Sequence, residues 1–249
     1  MDIQLIRNAT LVVKYGGKTF LVDPFFSDKG AFPAFQHTAN QLPNPLVNLP
    51  VPVSELLHVD AVLVTHLHPD HFDDVAIREL PKDMPIFAQS EQDAEQIRSN
   101  GFTDVIAIES DAHIGSVKIT RTNGEHGTGD IKARMGNVSG FVFEHEEEET
   151  LYIAGDTIWC EAVRETLATF HPHTVIVNSG AAQFLDGDPI TMTEDDVLAV
   201  YEHGQPERLV AVHMDALNHC SLSRDDLREF IHERGIGRSI FIPEDGEHI

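Results

Sequence analysis

The sequence predicts a layered α/β fold, two sheets packed together with helices outside, in one domain spanning residues 1–249. Three observations predict it. Short apolar segments such as Ala61–Thr65 (AVLVT) and Thr174–Asn178 (TVIVN) read as buried strands. Helical segments with recognisable start signals are interspersed among them. Strand-rich blocks followed by helices occur in both halves of the chain, with no linker, low-complexity segment or residue-level repeat between them.

The elements follow in order. Leu11–Val13 and Thr19–Val22 flank Gly16-Gly17 and read as a hairpin that ends at Asp23. From Pro24 to Glu55 the chain is irregular and holds six of its 13 prolines, together with Phe25, Phe26, Phe32 and Phe35. A connection of that length is functional or disordered, and its aromatic content argues for a packed flap. The AVLVT strand comes next, then a helix over Asp73–Leu80 and a strand over Pro85–Ala88. Ser90 opens a second helix, with Asp93 three residues on as a near capping box and Gly101 as the stop. Strands are expected at Val105–Ile108, Val117–Thr122 and Gly140–Phe143, and Glu144–Glu149 around His145 reads as a solvated hairpin tip. The second half brings a strand at Leu151–Ala154, a helix over Cys160–Phe170 and the TVIVN strand. A helix then runs from its cap Thr193 to Gly204, followed by a strand at Leu209–Val212, a helix capped by Ser223 and a last strand at Ser239–Ile242.

Composition narrows the function. The 249 residues carry 41 acidic and 17 basic side chains, a formal charge of −24. Nucleic-acid binders and proteins of anionic membranes need basic faces, so both classes are disfavoured. The acidity reads either as a solubility device or as an adaptation to high salt. No apolar run is long enough for a membrane helix, and the N-terminal residues lack the pattern of a secretory signal. Cys160 and Cys220 do not make a disulfide framework, so a reducing cytoplasm is the expected compartment. The one over-used residue type is His, with 15 copies.

Three of those histidines stand directly after the AVLVT strand, in His66-Leu67-His68-Pro69-Asp70-His71. Imidazole and carboxylate ligands in that density suit Zn²⁺, Mn²⁺ or Fe²⁺. On an extended segment residues i and i+2 point the same way, so His66 and His68 can grip one ion. Past the turn at Pro69, Asp70 and His71 can face a second. Four further candidates each follow an apolar strand: Asp23, His126, Asp156 and His213. Loops leaving the same ends of strands converge on one edge of a layered α/β fold, where sites form.

This ordered set, HxHxDH followed by His126, Asp156 and His213, resembles the metallo-β-lactamase superfamily along essentially the whole chain. The flanks IRNATLVVKYGGKTFLVDP, IAGDTIW, AVHMDALNH and PEDGE look most like its L-ascorbate-6-phosphate lactonase-like branch. The resemblance implies an αββα four-layer sandwich. It implies one metal held by His66, His68 and His126, a second held by Asp70, His71 and His213, and Asp156 bridging both. Asp23 matches a structural Asp that buttresses the metal loop. His68, in place of Glu, departs from the flavodiiron oxidoreductases, and no Tyr is placed as in acyl-homoserine-lactone lactonases.

The expected enzyme is therefore a dinuclear metallohydrolase cleaving a small ester, lactone or phosphate-bearing metabolite with a metal-bridging hydroxide. The metals are two divalent ions, zinc first, with manganese and iron as alternatives. Asp70 is the candidate to orient the nucleophile or receive its proton. His219 is a candidate proton donor or ligand-supporting residue, with a capping or core role as its alternative. The partner is a small molecule, which the cations allow to be anionic; a homo-oligomer is compatible with the sequence. A phosphodiesterase, for which Lys29, Lys132 and Arg134 are the available cations, is one alternative. A mononuclear iron dioxygenase and a non-catalytic metal-bound binding module are the others.

The remaining candidates have blander readings. Asn178 and Ser179 make a turn with Gly180 or bind substrate oxygens, the turn being favoured. Trp159 is expected as a pocket wall and Cys160 as a small buried residue. His37 is an open flap candidate for touching substrate. His58, His113, His145, His171, His173, His203, His232 and His248 are expected at the surface, and Glu244-Asp245-Gly246-Glu247 as a structural turn.

Overall fold

The computed structural model describes residues 1–249 and has the four layers expected. The first sheet joins β1 (Asp2–Arg7), β2 (Thr10–Tyr15), β3 (Lys18–Val22), β4 (Ala61–Val64), β5 (Ile86–Ala88) and β6 (Val105–Ala107) in sequence order. Its first three strands form an antiparallel meander, and β3 to β6 run parallel. Between the parallel strands lie α1 (Val53–Leu56), α2 (Asp74–Glu79) and α3 (Glu91–Ser99).

The second sheet repeats the scheme. An antiparallel run of β7 (Asp111–Ile114), β8 (Val117–Asn123), β9 (Ser139–His145) and β10 (Glu148–Ile153) is extended in parallel by β11 (Thr174–Asn178), β12 (Arg208–Val212) and β13 (Ile240–Phe241). Helix α4 (Gly129–Met135) interrupts the antiparallel part, and α5 (Glu161–Phe170), α6 (Glu194–Gly204) and α7 (Arg224–Arg234) connect the parallel strands.

The period-2 alternation of strand side chains explains why the central strands are apolar throughout. In β4, Ala61 and Leu63 enter the core between the sheets, whereas Val62 and Val64 pack with Ala76 of α2 and with Ala94 and Ile97 of α3. In β12, Val210 and Val212 face the inner core, and Leu209 and Ala211 join Val163, Val197 and Leu227 of α5, α6 and α7. No helix is long and apolar enough to cross a membrane.

Local reading and structure differ at identifiable places. Strand β1 precedes the expected hairpin, which is entered through Asn8 at φ 59°. Strand β7 is half-exposed at a sheet edge and carries no apolar run. Helix α4 begins at a glycine, the weakest of helix formers after proline, and its N-cap Thr128 makes no side-chain capping bond. The flap ends earlier than Glu55, because α1 begins at Val53. Only half of the capping box at Ser90 forms: its hydroxyl accepts from the Asp93 amide, but the Asp93 carboxylate is engaged by Gln89. His145 is half-buried rather than free in solvent, edge-on to Tyr15 and within 2.9 Å of the Ser116 hydroxyl.

The flap itself is packed, as its aromatics suggested. Asp73, the cap of α2, accepts from the amides of Phe26 (3.0 Å) and Ser27 (2.7 Å) at the flap's start. Buried Arg7 donates to the carbonyls of Phe25, Ser27 and Val47. The turn at Glu244–Glu247 is structural: its Gly246 and Glu247 exchange backbone bonds with Leu5, and its Asp245 pairs with Arg224.

Candidate metal centre

Parallel strands end on a common edge, and that edge collects the polar residues. Asp23 follows β3, His66–His71 follow β4, His126 follows β8, Asp156 follows β10 and His213 follows β12. After β4 the chain turns at Pro69, where the His68 carbonyl accepts from the His71 and Phe72 amides. This turn brings His71 back beside His66, their ring centroids 4.1 Å apart.

The result is two adjacent nests of donors. His66, His68 and His126 form one; Asp70, His71, Asp156 and His213 form the other, with the ligand-capable atoms of each within 4.8 Å of one another. The Asp156 carboxylate faces both. Its Oδ2 lies 3.3 Å from His71 Nε2, 3.5 Å from His126 Nε2 and 3.9 Å from His66 Nε2, and its Oδ1 lies 3.6 Å from His213 Nε2. All seven sequence candidates are thus brought together, and all but His68 are buried.

The far nitrogens are engaged, which aims the near ones inward. His71 Nδ1 donates to Asp23 at 2.8 Å, and His126 Nδ1 donates to the Ile190 carbonyl at 2.7 Å. The Thr65 hydroxyl donates to Asp23 and accepts from His66 Nδ1 at 3.2 Å. His213 Nδ1 has the sulfur of Cys220 at 3.7 Å. Such outer partners fix tautomer and ring orientation in metal sites. With them in place, the Nε2 atoms of His66 and His71 are buried without a hydrogen-bond partner. Orphaned buried imidazole nitrogens facing carboxylates are costly in an empty protein interior and suit a bound cation. The donor set, five imidazoles and two carboxylates, fits a pair of borderline divalent ions.

The electrostatics agree. Burial opposes the charge on Asp70 and Asp156, but the surrounding imidazoles outweigh it and hold both carboxyls well below their usual range. Burial also opposes protonation of His71 and His213, yet the carboxylates beside them raise both well above an ordinary histidine. Burial lowers His66 and His126, and their cationic neighbours add to it. Backbone strain is concentrated here too: Asp23 and His213 sit at φ 45° and 66°, a region that costs a non-glycine residue about 1–3 kcal/mol. The His213 amide compensates by donating to the Asn8 carbonyl, and the Asn8 side chain donates to the Asp70 carbonyl.

A cavity of about 140 Å³ opens onto the nests, lined by His68, Asp70, His126 and Asp156 on one side and by Phe35, Met135, Phe184, Ile190 and His219 on the other. It is smaller than sites for drug-sized ligands, roughly 300–1,000 Å³. His219 is therefore a cavity residue rather than a helix cap. Its ring meets Phe35 edge-on at 4.7 Å, its Nδ1 has no partner, and burial pushes its pKa down to about 4. The unfolded chain titrates near the ordinary 6.5 and takes up this proton first. The neutral ring thus contributes stability above that pH, which is lost as pH falls towards 4. Metal-free parent should lose roughly 3 kcal/mol more than a His219→Phe variant between pH 7 and 4. Chemical denaturation at both pH values checks this, and parallel losses would contradict it.

Other candidates are placed differently from expectation. Asn178 neither makes a simple turn nor faces the cavity: its amide donates to Asp156 Oδ1 at 2.7 Å, clamping the shared carboxylate. Ser179 stays with the backbone, its amide donating to the Val212 carbonyl. Gly180 is needed for close approach, since a Cβ there would lie 2.2 Å from the His213 carbonyl. Trp159 is not a cavity wall; it packs on the outer helices beside His203. Cys160 caps α5, half-buried. His37 is exposed and lies outside the cavity lining. Lys132 pairs with Glu125 and Arg134 lies over Phe184, so no Lys or Arg lines the cavity. Sequence reading passed over Asn8, Thr65, Asn218 and Cys220. Only Asn8 carried a local signal, as an Asn able to take a left-handed turn between two apolar runs.

Comparison with known proteins agrees with this fold. A family model described as a beta-lactamase superfamily domain matches residues 18–214. The chain is 44% identical over 250 residues to the UPF0173 protein YddR of Bacillus subtilis (strain 168), covering 99% of this chain and 98% of the relative. An isothiocyanate hydrolase from Delia radicum gut bacteria has a crystal structure that superposes with a TM-score of 0.96 at 42% identity, covering 100% of this chain and 98% of that one. A possible metal-dependent hydrolase from Veillonella parvula DSM 2008 superposes with a TM-score of 0.97 at 40% identity, with the same coverage.

Proposed function

We propose that this chain, which belongs to the beta-lactamase superfamily and is a metal-dependent hydrolase of that fold, works with two divalent cations on small uncharged electrophiles, isothiocyanates first among them. The observation that carries the two-ion reading is the pair of adjacent donor nests sharing Asp156. His66, His68 and His126 would hold one ion; Asp70, His71 and His213 would hold the other. Two such cations supply Lewis acidity and lower the pKa of a shared water towards neutrality.

The substrate class follows from the cavity and from the likeness to the isothiocyanate hydrolase. The cavity is small, half of its wall is apolar or aromatic, and it has no cationic side chain to hold a phosphate. That favours a neutral substrate over a phosphodiester. An isothiocyanate, R–N=C=S, presents its central carbon as the electrophile. Hydrolysis adds one water: an O–C bond forms, the N–C bond breaks, both water protons end on nitrogen, and an amine and carbonyl sulfide leave. Asp70, held ionised in the cavity wall, would take the first proton. His219, neutral near pH 7, can donate an N–H hydrogen bond to the leaving nitrogen. Esters and lactones remain the second substrate class, as the lactonase-like flanks suggest. With its free cysteines, we place the chain in a reducing cytoplasm.

The test is a panel of isothiocyanates, lactones, esters and phosphodiesters, run on protein before and after chelation. Isothiocyanate turnover should disappear with chelation and return with added zinc or manganese. Turnover of phosphodiesters with none of isothiocyanates would contradict the substrate class. Full activity after complete metal removal would contradict the mechanism. One bound iron with oxygen-dependent turnover would favour a dioxygenase.

A further inference from the structure

Asn218 lies between the loop of His213 and the cavity residue His219, and its side chain is almost fully buried. Its Oδ1 accepts from the Phe35 amide at 2.9 Å and from Asn44 Nδ2 at 2.7 Å. Its Nδ2 donates to the Thr38 hydroxyl and the Asn40 carbonyl, both at 2.6 Å, and to the Phe35 carbonyl at 3.2 Å. Its own amide donates to Asn44 Oδ1 at 2.8 Å. One side chain thus gathers four flap residues spread from Phe35 to Asn44.

The clasp has a reach beyond the flap's backbone. Phe35 presents its ring to the cavity and packs edge-on against His219. Behind it runs an aromatic row, Phe35 to Phe32 at 6.0 Å and Phe32 to Phe25 at 5.9 Å, seated on Ala216 and Leu217. Two cavity walls therefore depend on Asn218: His219, its neighbour in the chain, and Phe35, which it holds by both amide and carbonyl. The metal nests have no bond to it; their supports are Asn8, Asp23, Thr65, Asn178, Ile190 and Cys220.

We propose that Asn218 is the positioning residue that clasps the flap over the metal cavity and thereby sets the size of substrate the cavity takes. The inference rests on the cavity being the catalytic one, but not on the identity of the substrate. An amide is suited to the task because it offers both acceptor and donors; a carboxylate would keep the bonds from the Phe35 amide and Asn44 and lose those to Thr38, Asn40 and the Phe35 carbonyl.

The experiment uses Asn218→Ala, Asn218→Asp and, as a variant that breaks the clasp from the flap side, Asn44→Ala, all in the metal-loaded protein. Two readouts are taken. Hydrogen exchange of amides in residues 28–46 should speed up at least tenfold in Asn218→Ala and in Asn44→Ala, with Asn218→Asp between them and the parent. For ethyl and phenyl isothiocyanate, KM for the smaller substrate should rise about tenfold, kcat should fall less than threefold, and the preference should shift towards the larger. Metal content should stay at the parent level. Unchanged flap exchange in both alanine variants would overturn the proposal. So would equal losses on the two substrates, or loss of metal together with kcat, which would place Asn218 in the support of the ions. If the parent turns over neither isothiocyanate, the substrate reading fails; the exchange result then decides the clasp, with a short and a long ester supplying the kinetic pair.

Discussion

Replacing Asp156 by Ala should strip the protein of metal and lower kcat/KM by at least a factor of about 10³, roughly 4 kcal/mol of transition-state stabilisation. The size of the effect follows from position. Asp156 is the one side chain that faces both nests, with His66, His71 and His126 around one oxygen and His213 and Asn178 around the other. Its removal takes a negative charge from both sites together, in buried surroundings. Asp156→Asn keeps the shape and the place in the sheet edge but not the charge, so it should lose metal nearly as completely while unfolding close to the temperature of the metal-free parent. Metal analysis alongside thermal unfolding separates the two effects. Parent-level metal in either variant would mean that Asp156 is not a shared ligand.

The second large effect is expected at Asp23, which touches no ion in the proposed scheme. Its carboxylate accepts from the Thr65 amide and hydroxyl at 2.7 Å each and from His71 Nδ1 at 2.8 Å. Asp23→Ala leaves the buried Thr65 amide and the His71 ring nitrogen without an acceptor, at about 1–3 kcal/mol each, and should reduce metal affinity 10- to 100-fold. Asp23→Asn is the sharper variant. Asn tolerates the left-handed backbone at this position and still offers one oxygen to Thr65, so most stability should be retained. Its NH₂, however, faces His71 Nδ1 as a donor. The imidazole must then carry its proton on Nε2, the nitrogen that points into the nest, and metal affinity should fall as far as in the alanine variant. Calorimetric metal titration with denaturant unfolding checks both; tight metal binding by Asp23→Asn would contradict the tautomer argument.

How much of this was legible in the chain depends on where the information lies. Strands such as β4 and β11 could be read because a strand covered on both faces must be apolar throughout, and that pattern is local. The seven donors could be read because four of them stand within one six-residue motif behind β4 and the other three lie shortly after β8, β10 and β12. What was missed has its cause elsewhere in the sequence. Strand β7 exists because β8 pairs with it, not because DAHI favours extension. Asn178 looked like a turn residue because its partner Asp156 lies 22 positions away. Trp159 follows Asp156 closely, but the start of α5 carries it to the outer face beside His203. Asn218 is the extreme case: its flap partners lie 174 to 183 residues away, and nothing in the run LNHC announces them.

The charge of −24 acquires a different meaning beside the site. It still speaks against nucleic acid and anionic membranes. Near the metals, the local chemistry is set by five imidazoles, two carboxylates and an apolar wall without Lys or Arg. A neutral substrate meets neither the repulsion of the surface nor the lack of cations in the cavity.

In the proposed centre two ions sit side by side with Asp156 between them. Anomalous diffraction from crystals of zinc-loaded protein, collected on both sides of the zinc absorption edge, tests it most directly. Two peaks are expected, one among His66, His68 and His126 and one among Asp70, His71 and His213, both in contact with Asp156. A single peak at full zinc loading, or peaks away from these side chains, would contradict it.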